Sequence, residues 1–187
     1  MGMSKKNAVR IFILVIALCI SSCAEDQDFD QIESVTLRPS VQSSLFLIEA
    51  PESLVNASAG TTVFIQTFEF DAFNDNVIGD RVIDGSITYE IENSTSKELR
   101  VVVDFLDAAG AILDQETFTV SPSVPPETFV ELREVFYGPG GKDINILKNT
   151  TGLSVVATNL GDNTSMSSLT EPKIILRSSG NFRVQIR

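Results

Sequence analysis

The chain has no histidine and no tryptophan, and only two cysteines and two tyrosines in 187 residues. Without histidine there is no Ser/His/Asp or Cys/His machinery, no imidazole general base and no haem or zinc site built on imidazole. No apolar run is long enough to cross a bilayer. The longest, residues 11–20 (IFILVIALCI), has ten residues, whereas a spanning helix needs about 20. Basic residues are also scarce, 14 against 25 acidic. An acidic surface repels phosphate backbones, so DNA and RNA are excluded as partners.

What is present begins with an export signal. Lys5, Lys6 and Arg10 precede the apolar run, and the small residues Ser21 and Ser22 follow it, which is the grammar of a signal peptide rather than of a core helix. Ile20-Ser21-Ser22-Cys23 resembles the bacterial lipobox, an aliphatic residue and two small residues before a cysteine. That resemblance implies a thioether-linked diacylglycerol on Cys23, cleavage before it and acylation of the new amino terminus, with Cys19 lost in the leader. The cysteine count agrees with this, because an exported chain with one remaining cysteine would otherwise carry an unexplained thiol. Several acyl chains are needed for durable anchoring, since one gives marginal binding. The expected organisation is a leader at 1–22, an anchored tether at 23–32 and one domain at 33–187. Loss of the leader would leave 11 basic against 25 acidic residues, a net charge of −14.

The tether, residues 24–30 (AEDQDFD), reads as a solvated acidic linker. It also resembles the surface-export signals of Bacteroidota lipoproteins. The first reading leaves the domain on the periplasmic face of the outer membrane, and the second puts it on the cell surface.

From about residue 33 the pattern is strand after strand. Phe64, Phe68 and Phe70 share one parity while Thr67, Glu69 and Asp71 take the other, and Ile87, Tyr89 and Ile91 alternate with Thr88, Glu90 and Glu92. Val101, Val103 and Phe105 belong to a more apolar and therefore more central strand. Phe182, Val184 and Ile186 alternate at the C-terminus. Residues 93–97, 107–110 and 178–181 have turn composition, which predicts a three-stranded meander over 86–120. A parity break in its third strand predicts a bulge near Asp114 to Glu116. Residues 129–136 fit a strand slightly better than a helix, residues 143–149 predict one or two helical turns, and residues 153–158 a further strand. Together these predict an all-β, antiparallel immunoglobulin-like sandwich of eight to ten strands. Residues 89–93 (YEIEN) followed by 101–110 (VVVDFLDAAG) resemble the hairpin of late-embryogenesis-like and FxLYD-type sandwiches, a likeness that implies the fold and no active site.

Few residues suggest chemistry. Asp71, Asn74, Asp75, Asn76 and Asp80 form an oxygen-rich loop, a candidate calcium site that lacks the EF-hand spacing and its closing glutamate. Ser94-Thr95-Ser96-Lys97 matches S-x-x-K, but falls in a predicted turn without a later K-T-G. The N-x-S/T triplets at Asn56, Asn93, Asn149 and Asn163 are what Ser- and Thr-rich loops produce by chance. No cofactor is expected. The function expected is a non-enzymatic binding or structural module, anchored in the membrane through Cys23 and contacting another envelope protein. The alternative is a carboxylate-based hydrolase or glycan-binding protein, which the lack of stacking aromatics disfavours.

Overall fold

A computed structural model describes residues 36–58, 60–70, 73, 79 and 81–186. The expected leader, Cys23, the tether and the candidate calcium residues Asp71, Asn74, Asp75, Asn76 and Asp80 lie outside the described residues. Thr36–Ile186 forms one compact unit. Its elements are β1 (Ser40–Pro51), α1 (Glu52–Ala57), β2 (Thr62–Glu69), β3 (Val82–Asn93), β4 (Leu99–Leu106), β5 (Ile112–Val120), β6 (Phe129–Tyr137), α2 (Ile144–Asn149), β7 (Gly152–Asn159) and β8 (Lys173–Val184).

The all-β antiparallel sandwich expected from alternation is what forms, as two four-stranded sheets in the orders β1-β8-β3-β6 and β2-β7-β4-β5. Within that class the strand order is a jelly roll's: successive strands swap sheets everywhere except between β4 and β5. The inward faces carry the core. Val101, Val103 and Phe105 on β4, Val155 and Ala157 on β7, and Ile87 and Ile91 on β3 are all buried, each large side chain contributing about 1.5–3 kcal/mol. Tyr89 packs on Phe118 with ring centroids 5.1 Å apart, and Phe46 stacks on Phe68 at 5.2 Å. The helical turn expected at 143–149 is α2, capped where the Asp143 side chain accepts from Asn145 N–H at 2.9 Å. Residues 129–137 are a strand.

Two local expectations fail and a third is met one residue away. The meander over 86–120 does not form, because β3 and β4 lie in opposite sheets and only β4 and β5 make a hairpin. The hairpin on which the late-embryogenesis likeness rests is therefore absent. The reason lies in burial: every odd position from Tyr89 to Phe105 is buried, including Asn93, Thr95 and Lys97. One inward face thus runs straight through the connection, and the chain arches over the end of the core instead of turning back.

Residues 178–181 are not a turn but the middle of β8, paired with both β1 and β3. Gly180 and Gly85 are there because a Cβ at either would collide with the Phe182 ring, which lies over both. The bulge expected near Asp114 to Glu116 sits one residue earlier, at Leu113, between Ile112 opposite Leu106 and Asp114 opposite Phe105.

Candidate functional site

Three polar clusters and one surface are the places where chemistry or contact is concentrated. The first cluster closes the end of the sandwich where β1, β3 and β7 finish. Glu52, which opens α1, is buried, and it accepts from Ser96 N–H at 2.6 Å, Ser96 Oγ at 2.7 Å and Ser167 N–H at 3.0 Å. Burial acts to raise its pKa, but these donors and the nearby Lys97 charge outweigh it, and the net shift is downward. The Lys97 ammonium, 1% exposed, donates to Asp162 Oδ1, Ser165 O and Ser165 Oγ, all at 2.7 Å.

This is where the S-x-x-K match leads. Its lysine does meet a serine, but the partner is Ser165 and not Ser94, whose hydroxyl donates to Lys173 O at 2.9 Å. A lysine that activates serine must be neutral. Lys97 instead ion-pairs with Asp162, whose carboxyl is held well below the usual range by Lys97 and by Ser165. All three ammonium protons have acceptors, so the cluster is a latch between the 93–98 and 160–167 loops. Asn93 completes it, donating to Lys97 O and Ser121 O, both at 2.8 Å, and accepting from Thr95 N–H and Oγ1.

The second cluster lies along the seam between β5 and β6. Lys142 bridges Asp114 at 2.6 Å and Glu116 at 2.5 Å. Burial acts to lower the Lys142 pKa, the two carboxylates raise it, and the net shift is upward. Arg133 reaches Glu131 at 2.8 Å and Thr117 O at 3.1 Å while lying 4.1 Å above the Phe118 ring. Burial pushes the hydroxyls of Tyr89 and Tyr137 far up, so neither ionises as a base or nucleophile at neutral pH.

The third cluster is spread over the outer face of the β1-β8-β3-β6 sheet. Arg177 joins Glu90 at 2.9 Å and also Glu92, Arg183 grips both oxygens of Asp84, and Lys173 meets Glu49 at 2.8 Å. Between them are shallow depressions of about 410 and 370 Å³ lined by Ser43, Ser86, Ser179, Asn181 and Glu134 in the first, and by Asp84, Ser86, Glu134 and Arg183 in the second. Asp84 and Glu134 are thus two carboxylates at one concavity. Glu134 pairs across from Thr88, four residues along β3 from Asp84, which is about 13 Å of strand. Glycosidase carboxyls stand about 5–10 Å apart. Only converging side chains would close that gap, and Asp84 is engaged by Arg183.

The surface is the outward row of β6. Val130, Leu132 and Phe136 are 57%, 69% and 59% exposed, with Glu134 among them. Among the described residues no group of three or more acidic or cysteine side chains is placed to hold a metal, and no helix is long and apolar enough to cross a membrane. Phe70 and Phe73, at the start of the candidate calcium loop, are buried in the core with ring centroids 5.6 Å apart.

No protein-family model and no curated protein matches the chain. Among solved structures it is similar to a Parabacteroides distasonis protein designated as secreted, at 13% identity over 63% of this chain and 36% of that one, with a TM-score of 0.42. It is also similar to the VP2 subviral particle of infectious bursal disease virus, at 9% identity over 80% and 33% of the two chains, TM-score 0.40. A third similarity is to the disulfide-linked pili of Bacillus endospore appendages, at 11% identity over 81% and 92%, TM-score 0.34. The chain spans about a third of the length of the first two. These likenesses are of the sandwich fold.

Proposed function

We propose that the chain is a lipid-anchored protein of the bacterial outer membrane that works by contact and not by catalysis. The anchor reading comes from the cationic start, the ten-residue apolar run and the lipobox-like Ile20-Ser21-Ser22-Cys23. The contact reading is carried by one observation: where lysine, arginine and carboxylate converge, they are paired with one another in arrangements that stabilise loops and seams, and the Tyr89 and Tyr137 hydroxyls, which lack a hydrogen-bond partner, are enclosed in the core. An active site needs the reverse, a group left under-satisfied or perturbed towards its working protonation state. The ion pairs of Lys97, Lys142, Arg177 and Arg183 keep their carboxylates occupied.

Mass spectrometry of the N-terminal peptide tests the anchor. The expected species begins at an acylated Cys23, and Cys23→Ser should release the protein from membranes. An unmodified thiol, or a chain beginning at Met1, sinks the localisation. Crosslinked pulldown from membranes, with surface proteolysis of whole cells, tests contact and distinguishes the periplasmic face from the surface.

The second reading, a carboxylate-dependent hydrolase or glycan binder, is favoured by Asp84 and Glu134 lining one depression. Glu134→Gln decides it. Loss of the deletion phenotype's complementation, with fold, anchoring and partner capture intact, would establish a site-based activity.

A further inference from the structure

The ion pairs on the outer face of the β1-β8-β3-β6 sheet are closed upon themselves, but the stretch of sheet between them is built the other way. Ser44, Ser179, Thr88 and Glu134 stand side by side across all four strands, and Gln42, Asn181, Ser86 and Phe136 form the next row. The rows beyond carry paired charges, Arg183 with Asp84 on one side and Arg177 with Glu90 on the other. Short side chains between long paired ones make a trough, and the two depressions, which share Ser86, Asn181 and Glu134, lie along its floor. It crosses three strand spacings, about 14 Å. It ends at β1 and β6, the outer strands, so no further strand of this sheet closes either end.

The polar groups of the floor are unused. Among the described residues the hydroxyls of Ser44, Ser86, Thr88 and Ser179, the Gln42 amide and the Glu134 carboxylate have no side-chain hydrogen bond or ion pair. Ser86 is the telling one. It is only 6% exposed, yet its hydroxyl is not among those sealed in the core and it lines both depressions. A buried polar group without a protein partner calls for one from outside.

We propose that this trough binds a neutral glycan chain. The proposal rests on the reading of the molecule as a contact module, and it keeps the glycan of the second reading without the hydrolysis. Hydroxyls and amides both donate and accept, which is what sugar hydroxyls require, and the free carboxylate of Glu134 can accept from two neighbouring hydroxyls at once. Phe136, 59% exposed at the β6 end, offers its ring to the apolar face of a pyranose. The guanidiniums of Arg177 and Arg183 are engaged by carboxylates, so no free cation is offered to a phosphate, sulfate or uronate. Glu134 and the acidic excess of the chain repel such anions. A protein interface is centred on a buried apolar core, whereas this floor is polar from β1 to β3. Asp84 is held by Arg183, which leaves the trough one free carboxylate where acid-base hydrolysis needs two. Ends without a closing strand suit the interior of a polysaccharide.

Affinity electrophoresis of the full chain tests this, in a polyoxyethylene detergent because a glycoside detergent would compete. The gels carry dextran, mannan, xyloglucan or galactan as neutral probes and polygalacturonate as the anionic one. At least one neutral probe should retard the chain, with little effect of added salt, and polygalacturonate should not. Glu134 and Phe136 are exposed, so Glu134→Ala and Phe136→Ala should melt as the native chain does while weakening retardation, the first at least about tenfold and the second several-fold. Val130→Thr, opposite Glu92 and outside the trough, should change nothing. Retardation by no neutral probe, equal retardation by polygalacturonate, or retardation indifferent to both alanine variants would each overturn the proposal. So would shortening of the polysaccharide that Glu134→Ala abolishes, which establishes the hydrolase instead. A protein captured on membranes by a chain that no polysaccharide retards leaves the contact reading standing on another surface, whereas failure of both tests removes it.

Discussion

Replacing Asn93 should be among the most damaging single changes in the domain. Its amide makes four hydrogen bonds: it donates to Lys97 O and Ser121 O, and accepts from Thr95 N–H at 2.9 Å and Thr95 Oγ1 at 2.7 Å. Asn93 and Thr95 are fully buried, so partners left behind by Asn93→Ala are not readily rehydrated. Four bonds at a net worth of about 1 kcal/mol each, with a further penalty for each orphaned group, give a loss of at least about 4 kcal/mol. That is a large part of the roughly 5–15 kcal/mol that holds an ordinary domain folded. Urea unfolding followed by far-UV circular dichroism measures it, with the loss read as a lower midpoint at unchanged slope. Asn163→Ala, on an exposed loop, is the control and should stay within about 0.5 kcal/mol. A loss at Asn93 below about 1 kcal/mol would refute the view that this amide holds the arch between β3 and β4.

Asn93→Asp sharpens the test. The shape is kept, but a carboxylate oxygen now faces two carbonyls, which favours its protonated form and raises its folded pKa above the unfolded value of about 3.9. The variant's stability relative to the native chain is therefore best below that unfolded value and is lost as pH rises through the folded one. An unchanged difference between pH 4 and pH 7 would contradict the acceptor role of its neighbours.

Glu52 should behave with the opposite sign. Its folded pKa is depressed, so its contribution is present above the ordinary carboxylate range and is lost as pH falls through the folded value; Glu52→Gln should cost about 1–3 kcal/mol at pH 7 and progressively less in acid. Lys97→Met should be tolerated better than Lys97→Ala, because the buried stem is what fills space and the freed Asp162 is exposed enough to hydrate, a comparison that thermal melts settle. Single replacement of Asp71, Asp75 and Asp80 should leave melting temperature unchanged by added calcium, and a calcium-dependent rise lost in one variant would establish a metal site in that loop.

Alternation made the strands legible, since a period of two with one apolar face reports burial directly. β3 and β4 follow from it, as does the last part of β8, whereas in β6 the apolar row of Val130, Leu132 and Phe136 is the exposed one. The sheet to which each strand belongs did not follow. Polar residues at 93–97 suit a tight hairpin and an arch equally well by composition. The distinguishing signal was present in the parity, because Asn93, Thr95 and Lys97 continue the inward series of Tyr89 and Ile91 into Leu99 and Val101. It was masked because these inward residues are polar and look like turn residues. Residues 178–181 misled for a related reason: Ser-Ser-Gly-Asn has turn composition, and only the bulk of Phe182, two residues on, explains a glycine within a central strand.

The partners of the polar clusters were hidden by distance along the chain. Glu52 meets Ser96 across 44 positions and Lys97 meets Asp162 across 65, and a single sequence records no such pairing. Edges were hidden for a different reason. Alternation tells which face of a strand is buried but not whether a neighbour stands on its other side, so β6 reads as an ordinary half-buried strand. Its status comes from strand order, in which β3 is its neighbour among the strands and, among the described residues, Lys142 alone pairs along its other side.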